Sequence, residues 1–132
     1  MNIIDSSGWL EYFSDGPNAV HYLPPLEDPA ALIVPAITIY EVFKVVLRES
    51  AENEALQAVA AMQKGKIVDL DANLALDASK LSLQHHFPMA DSIILATARA
   101  YDCVIWTQDS DFQRIEGVNY FPASASPAKQ DP

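Results

Sequence analysis

The sequence predicts an α/β domain: a central parallel sheet of four to five strands, flanked by helices on both faces. Short aliphatic runs recur along the chain (Ile3-Ile4, Leu32-Ile33-Val34, Ile67-Val68 and Cys103-Val104-Ile105-Trp106), and segments with helical periodicity separate them. Runs that are apolar at consecutive positions suit strands buried on both faces, as in sheets whose crossovers are helices. The chain has 132 residues, half of them hydrophobic and a fifth charged. That fits one globular domain with a core of moderate size and excludes a disordered chain.

The elements follow in order. Ile3-Ile4 ends the first strand, and Ser6-Ser7-Gly8 turns into a helical stretch over Trp9-Leu10-Glu11-Tyr12-Phe13, broken by Gly16-Pro17. A second short helix is expected from Asn18, ended by Pro24-Pro25. Leu32-Ile33-Val34 is the second strand, stopped by Pro35. Residues 38–48 form a helix that is apolar over most of its circumference, with Lys44 and Arg48 one turn apart on the rest. Residues 53–63 read as another helix, with Leu56, Val59, Ala60 and Met62 apolar, before a third strand at Ile67-Val68-Asp69-Leu70. Residues 73–85 form a helix carrying Leu74, Leu76, Leu81 and Leu83. Pro88 opens the next, which runs to about Tyr101 and is apolar on nearly every side, so it should be central and buried. Cys103-Val104-Ile105-Trp106 is the fourth strand and Val118-Asn119-Tyr120-Phe121 the fifth. The domain is expected over residues 1–121, with 122–132, rich in Pro, Ala and Ser, as a loose tail. Trp9, Trp106 and Tyr40 are expected in the core.

Eighteen acids against eight bases give a net charge of −10. Alone, this argues against a polyphosphate partner and favours a basic protein partner or bound cations. No apolar run approaches the ~20 residues of a membrane span. Met1-Asn2-Ile3-Ile4-Asp5 lacks the basic start and long apolar stretch of a secretory leader, so none is expected. The single cysteine, Cys103, fits a reducing cytoplasm.

Sites in open parallel sheets form beyond the carboxyl ends of strands. Asp5 and Ser6 follow the first strand; Thr107, Asp109 and Asp111 follow the fourth. Glu41 and Asp91 fall in the first turns expected for two apolar helices. Each acid has a local explanation. Asp5 suits a helix N-cap. Thr38-Ile39-Tyr40-Glu41 fits a capping box. Asp91 gains from a helix dipole, and Asp109 and Asp111 suit a turn and a cap. Asp91, however, lies among Ala90, Ile93 and Ile94, where an unpaired carboxylate is costly. Two carboxylates ~5 Å apart repel by roughly 3 kcal/mol at an effective dielectric of about 20. Acids that converge must therefore take up protons or cations. Oxygen ligands of this kind suit Mg²⁺ or Mn²⁺, ions that orient phosphates and activate water.

Four stretches then resemble the PIN-domain nucleases, and among them the VapC toxins of bacterial toxin–antitoxin pairs. They are Ile3-Ile4-Asp5-Ser6-Ser7, Thr38-Ile39-Tyr40-Glu41-Val42, residues 88–98 around Ala90-Asp91-Ser92, and Thr107-Gln108-Asp109-Ser110-Asp111-Phe112. The resemblance implies a PIN fold and an Mg²⁺- or Mn²⁺-dependent endoribonuclease. It implies an acidic quartet of Asp5, Glu41, Asp91 and Asp109, with Asp111 as an additional metal-binding acid. Ser6 and Thr107 would hold water or orient a carboxylate. It further implies an RNA substrate, homodimers, and a VapB-like antitoxin that inserts a basic segment into the acidic cleft. Lys44, Arg48 and Arg99 are the candidate phosphate contacts. His85 and His86 suit the end of a helix better than a catalytic base.

Three other readings compete. A PIN nuclease of RNA processing shares the same residues. A phosphotransfer or phosphatase module wants Asp-x-Asp after the first strand or a Lys after the last, and neither is present. A PIN fold that only binds a partner would not need the full set of acids.

Overall fold

Aliphatic runs this short form no stable structure alone, and they bury their surface by pairing side by side. In the computed structural model, which describes residues 1–123, five strands form one sheet. They are β1 (Asn2–Ile4), β2 (Leu32–Pro35), β3 (Lys66–Val68), β4 (Val104–Thr107) and β5 (Val118–Tyr120). All pair in parallel, in the order β3-β2-β1-β4-β5. Of the expected tail, residues 124–132 lie outside the described residues.

The connections are α1 (Ser6–Phe13), α2 (Leu23–Leu26), α3 (Ala36–Glu49), α4 (Glu52–Met62), α5 (Ala72–His85) and α6 (Met89–Ala100). Single 3-10 turns stand at Ala19–Tyr22, Pro29–Ala31 and Ser110–Phe112.

Side chains alternate across the strands, so the sheet divides the core in two. Ile3, Ile33 and Ile105 face α5 and α6, where Leu74, Leu81, Ile94 and Phe112 complete one cluster. Ile4, Leu32 and Val34 face the other way, against Trp9, Tyr22, Val42 and Met62. As its composition predicts, α6 is buried at every position from Ser92 to Ala98.

Several elements depart from the sequence reading. Pro24 and Pro25 do not end a helix; they lie within α2, following a 3-10 turn. A proline at the start of a helix gives up no hydrogen bond, because the first N–H groups have no intrahelical partner. Leu56, Leu76 and Leu83 are exposed, Leu83 at 81%. The buried stripes are instead Ala55, Ala58 and Met62 on α4, and Leu74, Ala78 and Leu81 on α5. Alanines let α4 and α5 pack closely, which displaces the leucines beside them. Tyr40 is also exposed, at 58%, because it lies on the outer face of α3.

The strand order fixes where a site can form. From β1 the chain winds outward to β2 and β3, then returns to place β4 on the other side of β1. The crevice beyond the carboxyl ends of β1 and β4 is therefore the topological switch point. The backbone N–H of Asp5 donates to the Trp106 carbonyl at 3.2 Å, so the first residue past β1 stands beside the end of β4.

Candidate metal centre

Asp5 leaves β1 and caps α1. It is 2% exposed. Its Oδ1 accepts from the Gly8 N–H at 3.0 Å and from Ser7 Oγ at 2.7 Å. Its Oδ2 accepts from Thr107 Oγ1 at 2.7 Å. Burial pushes the Asp5 carboxyl up to about 6, although the bonds from Thr107, Ser7 and Gly8 oppose the rise.

Thr107 ends β4 and is fully buried. Its hydroxyl oxygen also accepts from the Asp109 N–H at 2.8 Å, which turns the chain out of the sheet. Asp109 then caps the 3-10 turn, its Oδ1 accepting from the Asp111 N–H at 2.9 Å. The turn brings Asp111 back over the crevice.

Asp91 arrives from the first turn of α6, whose N-terminus points at the same crevice. Among the described residues, one carboxylate oxygen each from Asp91, Asp109 and Asp111 lie within 4.8 Å of one another. Burial is the main force on Asp91. A hydrogen bond with Asp111 and the charges of Asp109, Asp111 and Asp5 add to it, raising its carboxyl to about 8. Without a cation, burial and these neighbours therefore favour the protonated form of Asp91.

Glu41 reaches the crevice from α3, but not as a cap. The helix begins at Ala36, so Glu41 is its sixth residue and lies in the second turn. Thr38 Oγ1 donates to the Pro35 carbonyl at 2.6 Å, and the Glu41 carboxylate accepts from Ser6 Oγ at 2.8 Å. The capping box read from the sequence does not form, because proline at the N-cap starts the helix two residues early. Asp5 and Glu41 stand outside the three-acid cluster, Asp5 oriented by the hydroxyls of Ser7 and Thr107 and Glu41 by that of Ser6.

The cations are less well placed than the sequence suggests. Arg48 pairs with Glu49 at 3.4 Å on the surface. Lys44 folds over Tyr40, its Nζ 5.6 Å from the ring centroid. Arg99 is in the last turn of α6, at the opposite end from Asp91 and roughly 12 Å along the axis at 1.5 Å per residue. His85 packs against Phe87, with ring centroids 5.3 Å apart, and His86 closes α5 with φ of 57°.

Ser7, Asn18 and Gln108 also belong to the site's framework, and the sequence reading gave them no role. The Gln108 N–H donates to Ser7 Oγ at 3.2 Å, and Asn18 Nδ2 donates to Gln108 Oε1 at 3.0 Å. The available signal was Ser7, the second polar residue after the Asp5 cap. The other two depend on contacts between distant parts of the chain.

The three-acid cluster offers only hard oxygen donors at one point. That donor set fits Mg²⁺ or Mn²⁺. Among the described residues, no helix is long and apolar enough to cross a membrane.

Solved structures share this architecture. A toxin–antitoxin complex from Klebsiella pneumoniae matches with a TM-score of 0.77 at 23% identity, over 90% of this chain and 96% of that one. A sarcin–ricin-loop-cleaving VapC toxin from Mycobacterium tuberculosis matches with a TM-score of 0.76 at 16% identity, over 89% and 97%. DNA-bound VapBC from Salmonella typhimurium matches with a TM-score of 0.70 at 15% identity, over 92% and 98%. No curated protein matches the sequence significantly. The PIN domain profile matches residues 3–118, a stretch that runs from β1 into β5 and contains every acid of the crevice: the chain belongs to the PIN domain family.

Proposed function

We propose that this protein is a Mg²⁺- or Mn²⁺-dependent endoribonuclease, acting in the cytoplasm as the toxin of a toxin–antitoxin pair. The observation that carries this reading is the convergence of Asp91, Asp109 and Asp111 at the switch point, where burial and then the neighbouring acids raise the Asp91 carboxyl. Such a cluster is unfavourable until a divalent cation occupies it.

Asp91, Asp109 and Asp111 hold the cation, and Asp5 and Glu41 extend the acidic wall on the α1 side. A divalent ion bound there supplies positive charge for phosphate oxygens and lowers the pKa of a water. Thr107 fixes the Asp5 carboxylate, and Ser6 fixes that of Glu41, so neither needs to reorganise when RNA arrives. Like charges line the approach, so the cation also removes the repulsion that an RNA backbone would meet.

The partner reading draws on a second feature. A groove of about 900 Å³ runs from Ser7 and Gln108 along α1, α3 and α4. Phe13, Val46 and Ala58 supply apolar lining, and Glu11, Glu49 and Glu54 supply charge. An amphipathic basic segment of an antitoxin suits that surface. The toxin–antitoxin assemblies among the structural neighbours support an antitoxin partner; a homodimer completes the reading.

The test is cleavage of a total cellular RNA pool by antitoxin-free protein, with Mn²⁺, with Mg²⁺ and with EDTA, beside Asp91→Asn. Discrete fragments that need the metal and vanish in the variant are expected. No cleavage by protein that binds Mn²⁺ would move the reading towards a partner-binding PIN module.

A further inference from the structure

Asn18 precedes the 3-10 turn at Ala19–Tyr22, the position where asparagine normally spends its side chain on a cap. Here it makes no side-chain cap bond. The side chain is instead used at long range. Its Nδ2 donates to Gln108 Oε1 at 3.0 Å and to the Pro122 carbonyl at 3.0 Å, across 90 and 104 residues. Asn18 is 6% exposed, so these bonds are made away from water.

Glu11 closes the arrangement into a ring. Its Oε2 accepts from the Asn18 N–H at 2.7 Å, and its Oε1 accepts from Gln108 Nε2 at 3.4 Å. The carboxylate cannot donate, which forces the Gln108 amide to turn its nitrogen to Glu11 and its oxygen to Asn18. Every partner is then satisfied in one orientation only. On its backbone side, Gln108 is tied to Ser7 Oγ, the group that donates to Asp5.

Gln108 lies between Thr107, which holds Asp5, and Asp109, which belongs to the acidic cluster. We propose that Asn18 is a positioning residue: through Gln108 it sets where Asp109 and Asp111 stand, and so how tightly the crevice holds a divalent cation. The proposal rests on the metal-site reading above. It adds a residue that lies outside the acid motifs and makes no hydrogen bond to Asp5, Glu41, Asp91, Asp109 or Asp111.

The test uses Asn18→Ala, Gln108→Ala and the double variant of the full chain, with two readouts. Calorimetric Mn²⁺ titration should show each single change weakening binding by roughly tenfold, the lower end of what loss of an outer-sphere contact costs a metal site. The double variant should lose little more, because both changes break one linkage. Amide exchange in metal-free protein should accelerate at Asp109 and Asp111 and stay unchanged at Ile94 and Ile105 in the core. Should Asn18→Ala fail to fold, Gln108→Ala, which keeps the Asn18 bond to Pro122, carries the test alone. Mn²⁺ affinity within about twofold of the parent, far short of an outer-sphere loss, would overturn the proposal. Additive losses, or exchange that quickens across the whole core, would overturn it too. A parent protein that binds no Mn²⁺ while Asp109 and Asp111 still respond would sink the metal-site reading and leave the loop-positioning role standing.

Discussion

Thr107 and Asp5 are 102 residues apart in sequence, and the hydroxyl of one donates to the carboxylate of the other at 2.7 Å in a fully buried contact. The same oxygen accepts from the Asp109 N–H. One atom therefore joins the acid after β1 to the loop carrying the acids after β4. Thr107→Val keeps the shape and removes the hydroxyl, leaving Asp5 Oδ2 without that donor and the Asp109 N–H without its acceptor. Loss of about 1–3 kcal/mol of stability is expected, measured by urea unfolding. Thr107→Ser should recover most of it. An unfolding midpoint unchanged in Thr107→Val would show that the bond contributes nothing net.

Asp91→Asn should separate stability from activity. The substitution removes a half-buried carboxyl whose charged form is disfavoured first by burial and then by the neighbouring acids. Metal-free protein at pH 8 should melt at or above the parent temperature, while stabilisation by added Mn²⁺ disappears. RNA cleavage should fall by about 100-fold or more, at least the largest loss seen when a supporting contact of a metal ligand is removed. A variant that still gains stability from Mn²⁺ would place the ion elsewhere.

The pH dependence of metal-free protein has a definite sign. Asp5 titrates at about 6 and Asp91 at about 8, against an ordinary 3.8. As pH rises above 3.8, the unfolded chain sheds protons that the folded chain keeps. The folded state then binds more protons, and stability falls with rising pH. Melting temperature should decline from pH 5 to about pH 8 and then level off, the decline ending where the upper of the two groups titrates. Saturating Mn²⁺ should flatten the slope and release protons on binding, read as buffer-dependent heat in calorimetry. A melting temperature that climbs between pH 5 and 8 would contradict the raised carboxyl of Asp91.

Gly8 is the third residue of α1, and its N–H donates to Asp5. A Cβ there would meet Tyr22 Cε1 at 2.6 Å and Ile4 Cγ2 at 2.7 Å, both in the core. Gly8→Ala should cost about 1–3 kcal/mol through overpacking and loosen the Asp5 cap. Thermal melting checks the first effect and Mn²⁺ titration the second. A fully stable variant would mean that α1 can slide without disturbing the crevice.

Much of this site was readable from local patterns, because each acid follows an apolar run or opens an apolar helix. Asp5 and Asp109 stand at strand exits, and Asp91 starts the one helix that is apolar all round. Glu41 was misplaced within its helix because Thr38-Ile39-Tyr40-Glu41 matches a capping box in composition, while Pro35 starts α3 earlier. Leu76 and Leu83 misled for another reason. Hydrophobic counting ranks leucine above alanine, whereas close packing of α5 against α6 selected Ala78. Asn18 and Gln108 left no local trace at all, since their roles depend on partners about ninety residues away.

The strand order also sets a schedule. β1 is made about a hundred residues before its neighbour β4, and Asp109 and Asp111 follow later still. Pairings that distant form late in folding. A nascent chain can therefore bury Ile3 and Ile4 against β2 early, but it has no three-acid cluster until residue 111 has left the ribosome and β4 has docked. If the crevice cuts RNA, a new molecule is harmless until β4 has docked, and the window in which a partner must capture it opens only then.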